Sequence, residues 1–528
     1  MSHILTITTL LPLVGLALIA AGGHTLKDDA ARGIALIASL ATFVASLVVL
    51  GRFDGGQSGF QMVEQATWVR DVGLQYLVGV DGISIWMLLL TTFLFPVAIL
   101  ASWKIETNVR MYMAAMLALE TAVLGSFVSL DLLLFFLFFE ALLVPMYLII
   151  GGWGGERRVY AAVKFFLFTM AGSAFLLVAS LFLYSRSGAV LGGANTFDLR
   201  QLVTVASTLP VVTARVLFMG FFIAFAVKVP VFPLHTWLPD AHTEAPTAGS
   251  VLLAGVLLKV GTYGLLRYNL ALFPEASKYF ATFVSVLAVI GIVYGAVCAL
   301  IQTDVKRLVA YSSVSHLGFV VLGIFAFTEQ SMSGGVLQMV NHGLATGALF
   351  LLVGMVYERT HTRDLGEMGG LASVMPWLTG AFLFAVFASV GLPGLNSFIG
   401  EFLVIVGTFA VSHWFGSIAA VAVVLAAIYL LWSYQRMALG PVRQEHRGLA
   451  DVSLREVAVL APVLALLLVF GVYPKVLTDR IDASTSAVIA HVAPQGQVTD
   501  VGDVARSDLG NVVRADASAQ GSATEAGG

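Results

Sequence analysis

One cysteine, 11% charged residues and no block of basic side chains limit what this 528-residue chain can be. A lone thiol, Cys298, can neither close an internal disulfide nor supply the ligands of a cysteine-bound iron–sulfur cluster. Its apolar surroundings at 293–300 read as those of a small buried hydrophobe. A formal net charge of −3 with no basic run argues against nucleic acid as a partner. No glycine-rich turn follows a strand and opens a helix, so no dinucleotide cofactor site is supported. Strand-like alternation at barrel spacing is missing too, which leaves helices as the spanning element.

What is abundant is hydrocarbon: 59% of residues are hydrophobic and mean hydropathy is +0.92. Soluble domains carry about 25% charged residues. The chain therefore reads as an all-α polytopic membrane protein. Apolar runs long enough to span a bilayer centre near residues 13, 42, 92, 120, 141, 172, 221, 257, 290, 317, 345, 393, 427 and 465, about 14 transmembrane helices. The run at 5–22 has the length of a signal-peptide core, but only His3 stands before it as a possible cation, and a second span follows at 34–50. It reads as a retained helix.

Lysine and arginine in the short connections set the orientation. One side holds fourteen of them, including Lys27, Arg110, Arg157, Lys306, Arg363 and Arg443, against seven from Arg52 to Lys278 on the other. The richer side is expected in the cytoplasm of a bacterial-type inner membrane, with both termini outside. The tail from Ala493, rich in Gly, Ala, Ser and Asp and without aromatics, is expected to be disordered.

Two prolines interrupt spans at mid-membrane, in Val227-Lys228-Val229-Pro230-Val231-Phe232-Pro233 and in Val390-Gly391-Leu392-Pro393-Gly394-Leu395-Asn396. Paired broken helices point to two inverted five-helix repeats. The resulting division is 1–81 (two helices and an external loop), 82–109 (third helix and connection), 110–270 and 271–438 (the repeats), 439–492 (last helix and flank) and 493–528 (tail).

Ionisable residues inside these spans are costly and usually functional. Glu120, Glu140, Lys228, Lys259, His316, His342 and Glu401 fall near span centres, and Lys164 lies closer to an end. Glu120 and Glu140 each stand about 15 Å along a helix from the turn at 129–131. Lys228 precedes the first break, where freed carbonyls and water can solvate an ammonium. Snorkelling explains lysines near helix ends and so accounts for Lys164 beside Arg157 and Arg158, but not for Lys228 or Lys259. His316 and His342 suit proton relay, since imidazole accepts on one nitrogen and donates from the other, whereas a lone example would read as a hydrogen-bonded core residue. Glu401 follows the second break. His242 and Glu244 have the look of a metal pair, but between Pro239 and Pro246 they read better as a structural loop.

Two long segments resemble a known family. Lys228-Val229-Pro230-Val231-Phe232-Pro233-Leu234-His235-Thr236-Trp237-Leu238-Pro239-Asp240-Ala241-His242 and Asp304-Val305-Lys306-Arg307-Leu308-Val309-Ala310-Tyr311-Ser312-Ser313-Val314-Ser315-His316 are similar to signatures of the proton-antiporter-like subunits of respiratory complex I. Those subunits are related to multisubunit cation/proton antiporters. The likeness runs over about 75–475. Glutamate at Glu401, where the sister chains L and N carry lysine, resembles the chain M branch, the counterpart of mitochondrial subunit 4.

The resemblance implies a proton-translocating membrane subunit of NADH:quinone oxidoreductase. It makes Glu140 and Lys228 an ion pair in the cytoplasmic half-channel and Lys259 the central relay, with His316 and His342 leading to Glu401 at the exit. Glu120 has no secure counterpart in the family pattern and stays a candidate on its burial in a span alone. The resemblance also implies no cofactor in this chain, redox chemistry in other subunits, and homologous antiporter-like chains on both sides. The alternatives are a subunit of a secondary cation/proton antiporter, a haem carrier using the two histidines, and a purely structural bundle. The haem reading leaves both lysines unexplained.

Overall fold

The computed structural model describes residues 3–493, so the tail expected to be disordered lies outside the described residues. Among the described residues, thirteen helices are long and apolar enough to cross a membrane. A shorter pair, Pro376–Val390 and Asn396–Val411, forms the interrupted span expected near residue 393. In chain order the helices are α1 (Ile4–Gly22), α2 (Asp28–Arg52), α3 (Ser84–Ala101), α4 (Val109–Val128), α5 (Leu132–Trp153), α6 (Arg158–Leu191), α7 (Leu199–Ser207), α8 (Val211–Lys228) and α9 (Trp237–Glu244). They continue as α10 (Thr247–Leu270), α11 (Pro274–Leu300), α12 (Val305–Phe325), α13 (Glu329–Thr360), α14 (Pro376–Val390), α15 (Asn396–Val411), α16 (His413–Ala438), α17 (Leu454–Val472) and α18 (Lys475–Val492).

The interior belongs to α3, α4, α10, α12 and α13, whereas α1, α2, α16 and α17 present most of their surface outward. In lipid every backbone polar group must be satisfied within the protein, so the breaks need local partners. At the first break, Trp237 Nε1 donates to Val227 O at 2.8 Å and Val231 N to Ala226 O at 2.8 Å. Inside α5 the helix is disturbed at Leu142, one residue beyond Ala141. Pro145 stands four residues after Ala141 and has no N–H to offer its carbonyl. Helix α10 carries two π-helical stretches, Leu253–Leu257 and Leu265–Leu270, on either side of Lys259.

The segment read as an external loop contains an antiparallel hairpin, β1 (Gln61–Val69) and β2 (Leu74–Val80). Glu64 of β1 accepts Leu5 N at 2.8 Å, so the start of α1 lies on the hairpin face. Helix α18, an unforeseen amphipathic element, lies on that face too: Ser484 Oγ accepts Gly82 N at 2.9 Å and Ser333 Oγ donates to Asp482 at 3.0 Å. Both ends of the described chain therefore share one side, as an even number of crossings requires. Asp131 caps α5, with Oδ1 accepting Leu133 N and Leu134 N at 3.0 Å and Oδ2 accepting Gln75 N of β2 at 3.2 Å. Asp131→Ala removes this clasp and is expected to cost about 1 kcal/mol. A lower unfolding temperature in detergent, with faster exchange of the β2 amides, is the expected readout.

Candidate functional site

The buried ionisable residues on α10, α12, α13 and α15 converge. Lys259 is fully buried, and its Nζ lies 2.6 Å from His342 Nδ1. The same ammonium donates to Ala254 O, a carbonyl five residues back within the first π stretch. On α12, His316 Nδ1 lies 2.7 Å from Glu401 Oε1 of α15, and Gln338 of α13 donates to that oxygen at 2.9 Å. The two imidazole rings are 5.9 Å apart between centroids. Their Nε2 atoms have no hydrogen-bond partner among the described residues. Four of the expected residues thus form one line, Lys259–His342–His316–Glu401, with a single gap between the rings.

Local backbone features place each member. Gly391, at φ 82°, ends α14, and a Cβ there would lie 3.3 Å from Glu401 Oε2, so the second break runs against the carboxylate. Asn341 and Asn396 exchange side-chain to backbone hydrogen bonds at 2.8 and 3.1 Å, which fixes the start of α15 against α13 next to His342. Gly261, two residues beyond Lys259, meets Lys228 and Val229: a Cβ there would come within 2.9 Å of Lys228 Cβ. That close approach sets the end of α8 beside the centre of α10.

Lys228 is 1% exposed, and its Nζ has no hydrogen-bond partner among the described residues. It faces the rings of Phe139 and Phe165 at 5.0 and 5.6 Å to the centroids. Glu140, half-buried beside the kink in α5, has Ser173 and Lys228 as polar neighbours. No ion pair within 4 Å joins Glu140 to Lys228. The expected partners are neighbours held apart, with aromatic faces solvating the ammonium in part.

The remaining candidates lie off this line. Glu120 is fully buried on α4 and accepts Ser39 Oγ of α2 at 3.0 Å, away from the histidines. Lys164 pairs with Asp240 at 2.7 Å, with Arg307 at 4.0 Å from the same carboxylate.

Some polar groups had not been singled out. Gln338 and Tyr429 are neutral residues in apolar helices, and Tyr429 is an electrostatic neighbour of Glu401. His242 does not sit in a loop. It is fully buried on α9, its ring stacked on Phe350 at 4.7 Å, with Lys306 and Lys259 as its charged neighbours. Glu244 points elsewhere, accepting Arg157 N at 2.9 Å. It lines a cavity of about 370 Å³ with Arg157, Thr243, Lys306 and Arg363 on the arginine-rich face. Among the described residues no group of three or more His, Cys, Asp or Glu is arranged to hold a metal ion.

Residues 129–426 match the family model described as "NADH:quinone oxidoreductase/Mrp antiporter, TM". Residues 58–126 match the model for the amino terminus of NADH-ubiquinone oxidoreductase chain 4. The chain is 45% identical to NADH-quinone oxidoreductase subunit M of Rhodobacter capsulatus, over 97% of this chain and 100% of that protein. It is 41% identical to NADH-ubiquinone oxidoreductase chain 4 of Marchantia polymorpha, over 91% and 96%. Among solved structures it is similar to a chain of respiratory complex I from Thermus thermophilus with bound NADH. That match has a TM-score of 0.84 and 32% identity, and covers 93% of this chain and 100% of that one. A chain of the archaeal membrane-bound sulfane sulfur reductase shares the fold, with a TM-score of 0.80 at 22% identity and coverage of 90% and 77%.

Proposed function

The chain belongs to the subunit M family of NADH:quinone oxidoreductase, whose members are antiporter-like membrane subunits, and from that premise we propose the route its protons take. A proton enters from the arginine-rich side, is held between Glu140 and Lys228, and passes to Lys259. Lys259 gives it to His342 Nδ1, and His342 releases its other proton from Nε2 across the ring gap to His316 Nε2. His316 then donates from Nδ1 to Glu401, which discharges towards the hairpin face. Each imidazole accepts on one nitrogen and donates from the other, so no charge is stranded between steps. The observation that carries this reading is the buried line of contacts from Lys259 Nζ to Glu401 Oε1.

In this reading the redox centres belong to other subunits of the complex, and the chain itself holds no cofactor. Homologous antiporter-like chains flank it, and the arginine-rich face is cytoplasmic with both termini outside. The two breaks mark inverted repeats at 110–270 and 271–438. Charge displacement along the line acts at low dielectric, where two unit charges 4 Å apart interact by about 4 kcal/mol at an effective constant of 20, against about 1 kcal/mol in water.

A secondary cation/proton antiporter would use the same fold, since the matching family model spans both kinds of protein. Vesicles containing the assembled complex separate the two. NADH should drive acidification with no sodium present, and a sodium gradient without NADH should drive none. Acidification by the sodium gradient alone would replace this function with the antiporter.

A further inference from the structure

Lys259, Tyr263 and Arg267 follow one another at four-residue steps on α10, and the winding between the two π stretches, Leu258–Gly264, is ordinary α-helix. Tyr263 therefore stands next to Lys259 on the same face, about 6 Å further on. Arg267 falls about 12 Å beyond Lys259, close to the end of α10 at the hairpin face. A proton on Lys259 thus has a short way to that face along one helix, beside the longer one through His342, His316 and Glu401. Left open, the short way would also return protons from the hairpin side to Lys259 and dissipate the gradient.

The polar groups on this short way are arranged so that none can hand a proton on. Tyr263 is fully buried, and its hydroxyl donates to Phe127 O at 3.0 Å and accepts from Arg267 Nε at 3.2 Å. Its ring lies edge-on to that of Phe127, 5.4 Å between centroids. A backbone carbonyl has no proton to give, and a guanidinium does not give up its own. The next hydroxyl, that of Tyr268, also ends on a carbonyl, Ser129 O at 3.3 Å. Arg267 is 8% exposed and turns its far side to Asp81, with Nη2 donating to Oδ2. Asp81 Oδ1 accepts Ser84 N at 2.9 Å and Ile83 N at 3.2 Å, so both carboxylate oxygens are engaged. Asp81 is then a counter-ion behind the guanidinium, and the positive end of the pair faces Tyr263. A fixed arginine so placed opposes the arrival of a proton.

Taking the route through Lys259 as given, we propose that Arg267, anchored by Asp81, seals this short path, so that a proton on Lys259 leaves through His342 alone. Arg267 and Asp81 carry no proton themselves. They make the transfer one-way by closing the nearer exit.

The test measures passive proton entry into sealed vesicles holding the assembled complex, driven by a potassium diffusion potential with no NADH. Arg267→Gln alone would leave Asp81 buried without a counter-ion. Combined with Asp81→Asn it removes both charges together and keeps an oxygen for Ser84 N. This double variant should assemble, and its leak should rise about tenfold, the effect of lowering the barrier by about 1.4 kcal/mol. Under NADH it should still reduce quinone while net acidification falls. Adding Tyr263→Phe keeps the ring against Phe127, removes the hydroxyl, and should return the leak to the wild-type level. A leak of wild-type size in the double variant overturns the proposal. So does a leak that Tyr263→Phe leaves unchanged, or a double variant that no longer assembles, which would make the Arg267–Asp81 pair a structural clasp. The leak is read without NADH, so the seal stands or falls apart from the route, which Lys259→Met tests under NADH.

Discussion

Replacing Glu140 by glutamine should silence proton pumping while the complex still assembles. Lys228 is buried, its ammonium faces the rings of Phe139 and Phe165, and Glu140 is the acid whose charge acts on it. Glu140 is half-buried and makes no ion pair with the ammonium, so losing its charge withdraws about 1–3 kcal/mol of Coulombic support from Lys228. That is about tenfold to a hundredfold in the fraction of Lys228 able to hold its proton. The amide nearly preserves the shape and keeps a group for Ser173, so packing should survive. The expected record in NADH-energised vesicles is acidification at background, with quinone reduction falling alongside it and an unchanged band on a native gel. Normal values for both activities would remove Glu140 from the route.

The second large effect is expected from Lys259→Met. Methionine has similar length and no donor, so the contact with His342 at 2.6 Å disappears while the core stays filled. The two halves of the route then lose the titrating group that joins them. Acidification should drop about a hundredfold or more, the consequence of adding about 2.7 kcal/mol to a required transfer. The accompanying test is spectroscopic: the His342 ring resonances should shift, because Nδ1 has lost its partner, while those of His242, stacked on Phe350, stay close to their wild-type positions. An unaltered proton yield per NADH would show that the route bypasses α10.

Much of this arrangement could be read before any coordinates existed. Spans announce themselves because a bilayer demands about 20 apolar residues in a row, and buried charges stand out against such runs. The breaks at Pro230 and Pro393 were visible for the same reason. Adjacency was not. Nothing in the sequence says that His342 meets Lys259 while His316 meets Glu401, since those pairings depend on how α10, α12, α13 and α15 rotate against one another. Nor did the spacing reveal that Glu140 and Lys228 stand apart with aromatic rings at the ammonium.

Neutral polar groups escaped notice because Gln338 and Tyr429 carry no charge to flag them. His242 was assigned to a loop because prolines bracket it, yet Pro239 falls in the first turn of α9, where a missing N–H costs little. The hairpin and α18 were missed for a related reason. Their polarity is mixed, and hydropathy that finds membrane spans is blind to elements lying across the end of a bundle.

The two π-helical stretches of α10 also bear on how this protein can change over generations. A π turn is an α-helix with one residue wedged into it. Deleting a single residue between Leu253 and Leu257 would restore ordinary winding and leave Lys259 on nearly its present face, whereas the same deletion between Thr247 and Leu252 would turn the helix beyond that point by about 100°. Lys259 would in that second case face away from α13 with its identity intact. The π stretch is thus the one part of this helix ahead of Lys259 where a change of length can be absorbed, and a one-codon deletion before it would cut the line of contacts outright. The family's mutational record should accordingly show that the number of residues from Thr247 to Leu252 is held more tightly than the number from Leu253 to Leu257.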